Sequence, residues 1–242
     1  MANDNQTQRT AAQREHAESI VAELRRLYPD ARCSLDFTTP LELLVATILS
    51  AQCTDERVNQ VTKSLFQKYH SAQDYADANP ETLEQDIKQT GFYRNKAKHL
   101  REAGQMIVER YGGELPRTMD ELIALPGVAR KTANVVMGNA FDIVEGVVVD
   151  THVGRLARRL GLTDSEDPVK VEQDLMALLP QRDWLDLSHM LIMHGRAVCQ
   201  ARKPLCDQCT LVSLCPTGQS TLGLAAAQAA SALEPVAAKP KR

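Results

Sequence analysis

The chain has 242 residues, a formal net charge of −3 and an aromatic content of only 4%. No stretch approaches the roughly 18 consecutive apolar residues of a membrane span, and the polar N-terminus lacks the apolar core of a signal peptide. This composition excludes an integral membrane protein and favours a monomeric, cytoplasmic protein with one large or two compact domains. Because the net charge is slightly acidic, any nucleic-acid function must depend on local basic patches.

Helix signals recur along most of the chain, and the predicted fold class is all-α. Polar residues 1–15 predict a disordered extension, and apolar residues at helical spacing from Ile20 to Tyr28 predict the first helix. Three valines at residues 147–149 form the one run with strand character, which predicts an extended connector. Later helix starts combine a capping residue with proline or a carboxylate: Thr39 with Pro40 and Glu42, Asn79 with Pro80, Thr118 with Glu121, and Asp167 with Pro168.

Four of the six cysteines lie close together near the C-terminus: Cys199, Cys206, Cys209 and Cys215. In a reducing compartment such crowding predicts metal ligation rather than disulfides. The single Cys-x2-Cys pair is flanked by lone cysteines, a spacing that suits a [4Fe–4S] cluster better than the paired knuckles of structural zinc. Local chemistry alone leaves zinc open. The other two cysteines are expected to pack as small buried side chains.

A glycine-containing turn joins two apolar helical segments at LPGVA, residues 125–129. The pattern predicts a helix–hairpin–helix over residues 121–137. In such a motif the tight turn and the start of the second helix direct N–H groups outward toward a phosphate. These contacts hold a protein on DNA without reading base sequence. For the bare motif, an ordinary helical corner is the alternative.

Asp150 lies where the valine run meets a new helix, and its position suits a helix cap. Arg155, Arg158 and Arg159 follow on that helix, and residues 189–203 contain three Lys or Arg residues and no acidic one. Such local basic charge is what a DNA-binding surface requires. On these residues alone, Asp150 as a simple cap and the arginines as a solvated surface remain open.

Four motifs together resemble those of the endonuclease III family of base-excision-repair DNA glycosylases. They are LSAQCTD at 49–55, LPGVARKTAN at 125–134, VDTH at 149–152, and the cysteine run opened by HGR at 194–196. The resemblance covers residues 35–215, and four motifs in the family's order make it highly specific. It implies that the four cysteines hold a [4Fe–4S] cluster.

The resemblance also implies two helical domains with a DNA-binding cleft between them. A six-helix barrel would occupy residues 35–143, with the helix–hairpin–helix at 121–137. A cluster domain would combine residues 16–34 with residues 144–218, and the Ala-rich residues 219–242 would form a flexible tail.

Members of this family flip a damaged pyrimidine out of double-stranded DNA, cut its glycosidic bond and cleave the backbone by β-elimination, and they also act at abasic sites. By resemblance, Lys131 is the amine nucleophile and Asp150 its carboxylate partner. Gln52 would fill the hole left by the flipped base, and Phe92 would be the wedge. The other implied DNA contacts are Gly127, Val128, Ala129, Arg130, Thr132, His152, Arg155, Arg202 and Lys203.

Two positions depart from the family pattern, although neither removes a catalytic group. Ala129 replaces the second glycine of the hairpin, and Phe92 is larger than the usual aliphatic wedge. Two other functions compete: a monofunctional adenine-mismatch glycosylase on the same scaffold, and a non-catalytic or redox-sensing iron–sulfur module that binds DNA. Lys131 and the short chain after Cys215 argue against the first. Cleavage of a lesion-containing duplex would exclude the second.

Overall fold

The computed structural model describes the backbone of residues 2–224 and the side chains of residues 11–224. This part of the chain is all-helical, as predicted, and none of its helices is long and apolar enough to cross a membrane. The helices are α1 (Ala2–Leu27), α2 (Pro40–Leu49), α3 (Asp55–Leu65), α4 (Ala72–Ala76), α5 (Pro80–Asp86), α6 (Tyr93–Tyr111), α7 (Met119–Ile123), α8 (Arg130–Ala140), α9 (Thr151–Arg159), α10 (Pro168–Leu178), α11 (Trp184–Ala197) and α12 (Pro216–Thr221). Short 3-10 turns lie between several of them.

Two compact units make up the structure, one continuous in sequence and one built from both ends of the chain. The continuous unit is Arg32–Val148 and contains α2 to α8. The discontinuous unit combines the chain up to Ala31 with the chain from Val149 onward. The assignment of a barrel domain and a cluster domain to particular residue ranges stays a prediction.

Helix α2 lies at the centre of the continuous unit. Every residue from Leu43 to Leu49 is buried, so neighbouring helices cover this helix on all sides. Helices α4 and α6 approach closely: a Cβ at Gly104 would lie 2.7 Å from the carbonyl oxygen of Ala72. Helices α7 and α8 pack on each other, and α8 packs on α2. The turn between α7 and α8 is therefore carried by a rigid core.

Helix α1 supplies an apolar face to the discontinuous unit. Ile20 and Leu24 are fully buried along it, at the predicted helical spacing, and Ala17 is buried one turn earlier. Near the end of the helix, Arg25 forms an ion pair with Asp183 at 2.9 Å. Helix α9 packs against α10, α11 and α12, so the start of α9 and the C-terminal cysteines belong to one unit.

Capping side chains begin several helices at the predicted residues. Thr39 accepts a hydrogen bond from the Glu42 N–H, and the Glu42 carboxylate accepts one from the Thr39 N–H, each at 3.2 Å. Asn79 caps α5 and Asp167 caps α10, each followed by a proline at the first helical position. The predicted helix starts are therefore confirmed at these positions.

The structure differs from the predicted helix starts and ends in three places. Residues 2–15, expected to be disordered, form the first turns of α1, because their Ala, Gln, Arg and Glu residues favour a helix. Helix α12 continues to Thr221, into the expected flexible tail, and the tail from residue 225 onward lies outside the described residues. The capping box of α7 is half formed, since the Glu121 carboxylate accepts from the Thr118 hydroxyl.

Candidate functional site

The turn between α7 and α8 depends on one glycine. Gly127 has a φ of +81°, and a Cβ there would lie 2.9 Å from His99 side-chain atoms, so both the backbone and the available space require glycine. The next residue, Val128, is buried and donates its N–H to the Leu125 carbonyl at 3.1 Å. Ala129 has an ordinary extended φ of −96°, so this departure from the family pattern introduces no backbone strain.

Ala129 is the N-cap of α8 and makes no side-chain capping hydrogen bond. The side chain of the cap residue therefore accepts no hydrogen bond from the first N–H groups of this helix. An anion can bind at a helix start only where such N–H groups are not already used by a capping side chain. Lys131, the second residue of α8, is exposed, whereas Ala133 and Asn134 on the next turn are buried. Thr132 between them is half-buried.

Asp150 caps α9 through its own carboxylate. One carboxylate oxygen accepts hydrogen bonds from the His152 and Val153 N–H groups, each at 2.8 Å. The other oxygen lies 3.2 Å from Nδ1 of the His152 ring. The side chain of Asp150 keeps 17% of its surface exposed. The carboxylate is thus held on two sides and remains open to a small reacting group.

Arg155 serves the protein's own backbone. Its Nη2 donates to the carbonyls of Gly195 and Cys199, at 3.3 and 3.2 Å. Burial lowers the pKa of this guanidinium, because the charged form is less stable here than at the surface. The sequence analysis took Arg155 as a DNA contact, but these bonds commit it to holding α9 against the chain that leaves α11.

The loop between the first two clustered cysteines carries exposed basic side chains at Arg202 and Lys203. Arg159 shapes this loop from α9 by donating to the carbonyls of Gln200 and Ala201, each at 2.8 Å. The loop is therefore fixed by an arginine beneath it, while its two basic residues stay free of the core.

Gln52 and Phe92 share an unusual backbone conformation. Both have a positive φ, +54° and +47°, in the left-handed region that residues other than glycine rarely adopt. Both side chains are exposed, and Phe92 keeps 65% of its surface uncovered. Non-glycine residues with strained backbones are concentrated at functional sites. The positive φ values therefore support a functional role for Gln52 and Phe92.

The four C-terminal cysteines line one cavity, whose other walls include apolar side chains of α9 and of the loop after α11, among them Leu156 and Val198. Three neighbours contact the sulfurs: Arg159 Nη1 lies 3.2 Å from Cys199 Sγ, the Gly218 N–H lies 3.2 Å from Cys215 Sγ, and His194 Nε2 lies 3.5 Å from Cys209 Sγ. The Arg159 and Gly218 N–H groups are donors of the kind that stabilise metal-bound thiolates.

The four thiols line one cavity but do not form a site for a single metal ion within the described part of the chain. Among the described residues, no group of three or more His, Cys, Asp or Glu side chains is close enough to hold a single ion. In an iron–sulfur cluster each thiolate binds its own iron, so the sulfurs stand apart around the cluster. Burial raises the pKa of Cys209 and Cys215, and the neighbouring cysteines raise it further. A positively charged metal centre would relieve this by favouring the thiolates.

Two buried polar residues near these sites were missed by the sequence analysis. Lys96 donates from Nζ to two main-chain carbonyls inside the continuous unit. A signal for it exists, because Lys96 lies at helical spacing with the buried Leu100 and Ala103 of α6. His194 entered the sequence analysis only as the first residue of the HGR motif, whereas its ring joins Cys209 to the Tyr28 hydroxyl, which lies 2.9 Å from Nδ1.

A family model described as "HhH-GPD superfamily base excision DNA repair protein" matches residues 45–181 of this chain. Among curated proteins, Endonuclease III of Synechocystis sp. is 56% identical over 211 residues, which are 87% of this chain and 96% of that protein. Endonuclease III of Bacillus subtilis is 52% identical over 80% of this chain and 88% of its own length.

Solved structures show the same fold. A trapped covalent intermediate of an endonuclease III with DNA superposes with a TM-score of 0.82 at 44% identity, covering 86% of this chain and 98% of that one. A non-covalent endonuclease III–DNA complex gives a TM-score of 0.83 at 44% identity, with coverage of 87% and 98%. A thermostable thymine-DNA glycosylase, at 23% identity and a TM-score of 0.77, shares the fold.

Proposed function

The chain belongs to the endonuclease III family of base-excision-repair glycosylases and lyases, and we propose that Lys131 is its amine nucleophile and Asp150 the carboxylate partner. The substrate is double-stranded DNA that contains an oxidised or otherwise damaged pyrimidine, or an abasic site. The observation that carries the proposal is the position of Lys131, exposed in the first turn of a helix whose cap leaves its N-terminus open. A relative has been trapped covalently on DNA, which supports an enzyme-bound intermediate.

The lysine accounts for both steps of the reaction. Its neutral amine attacks C1′ of the flipped nucleotide, the glycosidic bond breaks, and the damaged base leaves with a proton. The sugar ring then opens: the C1′–O4′ bond breaks, O4′ takes up a proton, and the nitrogen lone pair forms the C=N bond of a protonated Schiff base. The Schiff base makes the proton at C2′ acidic. Loss of that proton expels the 3′ phosphate and cuts the strand. Water as nucleophile would release the base and leave the strand intact.

Asp150 is suited to assist because its carboxylate is already fixed. Two backbone N–H groups and the His152 ring hold it, so no reorganisation is needed when positive charge develops on the sugar. The carboxylate stabilises that charge and accepts the proton that the attacking amine loses. Its capping bonds and its catalytic role are compatible, since one oxygen carries both bonds to N–H groups.

DNA is held by backbone groups and by exposed cations. The first N–H groups of α8, which follow the turn at Gly127, bind one phosphate. The sequence also suggested Val128 as a DNA contact, but its N–H donates to the Leu125 carbonyl and its side chain is buried, so it supports the turn from inside. Arg202 and Lys203 bind the backbone from the cysteine loop, and Gln52 and Phe92 enter the duplex at the flipped base. Flipping costs least where the base is already damaged or poorly stacked, which contributes to selection of the lesion.

The four cysteines hold a [4Fe–4S] cluster. The fit rests on four thiols around one cavity, with N–H donors from Arg159 and Gly218 on two of the sulfurs and the His194 ring beside a third. When bound, the cluster cross-links the chain between Cys199 and Cys215 and so fixes the loop that carries Arg202 and Lys203. Arg159 and Gly218 donate to ligand sulfurs, which orients them for the cluster.

Borohydride trapping tests the catalytic assignment. We expect the wild-type protein to form a covalent adduct with a duplex containing one thymine glycol, and Lys131→Ala to form none while still binding the duplex. Lys98→Ala, on the exposed side of α6, is the control and should trap as the wild type does. An adduct in Lys131→Ala that maps to another amine would refute the assignment. A parallel duplex with an adenine mismatch tests the competing specificity.

Metal analysis of natively purified protein tests the cluster. We expect about four iron and four sulfide per chain, as four-cysteine ligation of this cluster requires. Stoichiometric zinc without iron would contradict the cluster and leave the catalytic proposal untouched. Cys33→Ala is the control, because this thiol packs against the core of the continuous unit and should leave the iron content unchanged.

A further inference from the structure

Lys96 is a buried ammonium that binds two separate stretches of main chain. Its side chain projects from the core-facing side of α6, and only 4% of the residue is exposed. Nζ donates to the carbonyl of Leu49 and to the carbonyl of Thr90, each at 2.8 Å. Both acceptors are backbone carbonyls rather than carboxylates, so the lysine cross-links two segments of chain that are far apart in sequence.

The two carbonyls lie two or three residues before the two residues with positive φ. Leu49 ends α2, and Gln52 follows three residues later through a turn closed by the Cys53 N–H to Ser50 carbonyl bond at 3.0 Å. Thr90 ends a 3-10 turn and comes two residues before Phe92. These connections are short, so the position of each carbonyl largely determines the position of the exposed side chain after it.

Thr90 is itself firmly placed. The residue is 1% exposed, and its hydroxyl donates to the Ile87 carbonyl at 2.8 Å. A third residue with positive φ, Asp142, differs from the other two because Asp tolerates the left-handed region. The positive φ of Gln52 and of Phe92 must therefore be held in place by contacts with the surrounding structure. Lys96 is a side chain that contacts the segments before both residues.

We propose that Lys96 is a positioning residue that fixes the separation between Gln52 and Phe92, the two side chains that enter the duplex. The inference rests on the proposed function, in which one side chain fills the hole in the base stack and the other wedges beside it. Both side chains enter the duplex when the same nucleotide is flipped out. Base release is therefore faster if the distance between them is fixed before DNA binds.

A lysine suits this task better than an apolar residue or an arginine. The ammonium is compact, and its hydrogens point in different directions, so one nitrogen reaches two carbonyls on different segments. Charge-assisted hydrogen bonds are about twice as strong as neutral ones, which offsets part of the cost of burial. That burial lowers the pKa of Lys96.

The test compares Lys96→Met with Lys98→Met. Methionine is unbranched and only one heavy atom shorter than lysine, and it removes the donors, while Lys98 is an exposed residue of the same helix. Single-turnover base release is measured on a duplex thymine glycol, and borohydride trapping is measured on an abasic site in single-stranded DNA, which needs no extrusion. We expect Lys96→Met to slow base release by roughly 10- to 100-fold and trapping by less than about twofold. Lys98→Met should change neither.

A double-mutant comparison separates positioning from a general loss of structure. In a Gln52→Ala/Phe92→Ala background, Lys96→Met should slow base release no further, because the side chains it positions are gone. Equal losses on both substrates, or losses that add in this background, would overturn the positioning role. If Lys96→Met does not fold, Lys96→Gln is compared on the same substrates. Failure of the wild type to trap would instead refute the proposed function.

Discussion

The starts of α8 and α9 show two ways of using the N-terminus of a helix. Helix α8 begins after Ala129, whose side chain caps nothing, and Lys131 follows in its first turn. Helix α9 begins after Asp150, whose carboxylate occupies the N–H groups of His152 and Val153. The first start is open to an anion from outside, whereas the second already holds an anion of its own.

Because of this difference, the two helix starts have different roles in the proposed reaction. An open start binds a phosphate and so places the amine beside the sugar. A closed start holds a carboxylate still, so that it acts without moving. Each of the following changes makes one start resemble the other or removes one of its contacts.

Replacing the Asp150 carboxylate should have the largest effect. Asp150→Asn keeps a capping side chain, because Asn caps as well as Asp, but removes the charge. We expect a normal unfolding temperature and a loss of roughly 10²–10⁴ in single-turnover rate. Asp150→Ala removes the cap as well and should also lose about 1 kcal/mol of stability. An Asp150→Asn enzyme with full activity would reduce Asp150 to a cap.

The turn before α8 should tolerate a side chain at one position and not at the other. Gly127→Ala forces a Cβ to within 2.9 Å of His99 at a φ of +81° and should destabilise the protein by more than about 1 kcal/mol. Ala129→Gly, which restores the family's second glycine, should change stability by only about 0.5 kcal/mol. Thermal unfolding of both variants measures the contrast, and equal losses would contradict it.

Closing the start of α8 should raise stability at the expense of DNA binding. Ala129→Ser supplies a neutral capping hydroxyl, which we expect to stabilise the protein by about 1 kcal/mol. Because the hydroxyl competes with a phosphate for the same N–H groups, the Kd for an abasic-site duplex should rise roughly fivefold. Ala129→Gly is the matched control. Tighter binding by Ala129→Ser would show that α8 does not receive a phosphate.

A DNA contact made by a cationic side chain should differ from one made by backbone N–H groups in how strongly the Kd depends on salt concentration. Lys203→Ala should lower the slope of log Kd against log salt by about 0.9, as loss of one ion contact requires. Ala129→Ser should weaken binding with nearly the same slope as the wild type, since no charge is removed. Titration at several salt concentrations measures both. An unchanged slope in Lys203→Ala would remove this residue from the interface.

The local features of the structure were accessible from the sequence. The caps at Thr39, Asn79 and Asp167 and the cap by Asp150 each depend on residues within three positions along the chain. Residues so close in sequence form these contacts independently of the tertiary structure. Their patterns can therefore be recognised in the sequence alone. The all-helical class follows from the same signals.

Contacts between distant parts of the chain were not accessible. Arg155 has the sequence setting of a surface arginine, and its bonds to the carbonyls of Gly195 and Cys199 exist only because α9 packs against α11. The role of Lys96 depends in the same way on Leu49, 47 positions away. Composition and spacing carry no information about such acceptors, since any residue has a backbone carbonyl.

The discontinuous unit has a consequence for the order of events during synthesis. Helix α1 leaves the ribosome before α10 and α11, against which it packs, and these follow only after the whole of Arg32–Val148. At about 5–20 residues per second, this delay is on the order of ten seconds. The apolar face with Ile20 and Leu24 stays uncovered for that time, while the continuous unit already has all its parts. Nascent chains stalled before α9 are therefore the ones for which a chaperone holding α1 matters most.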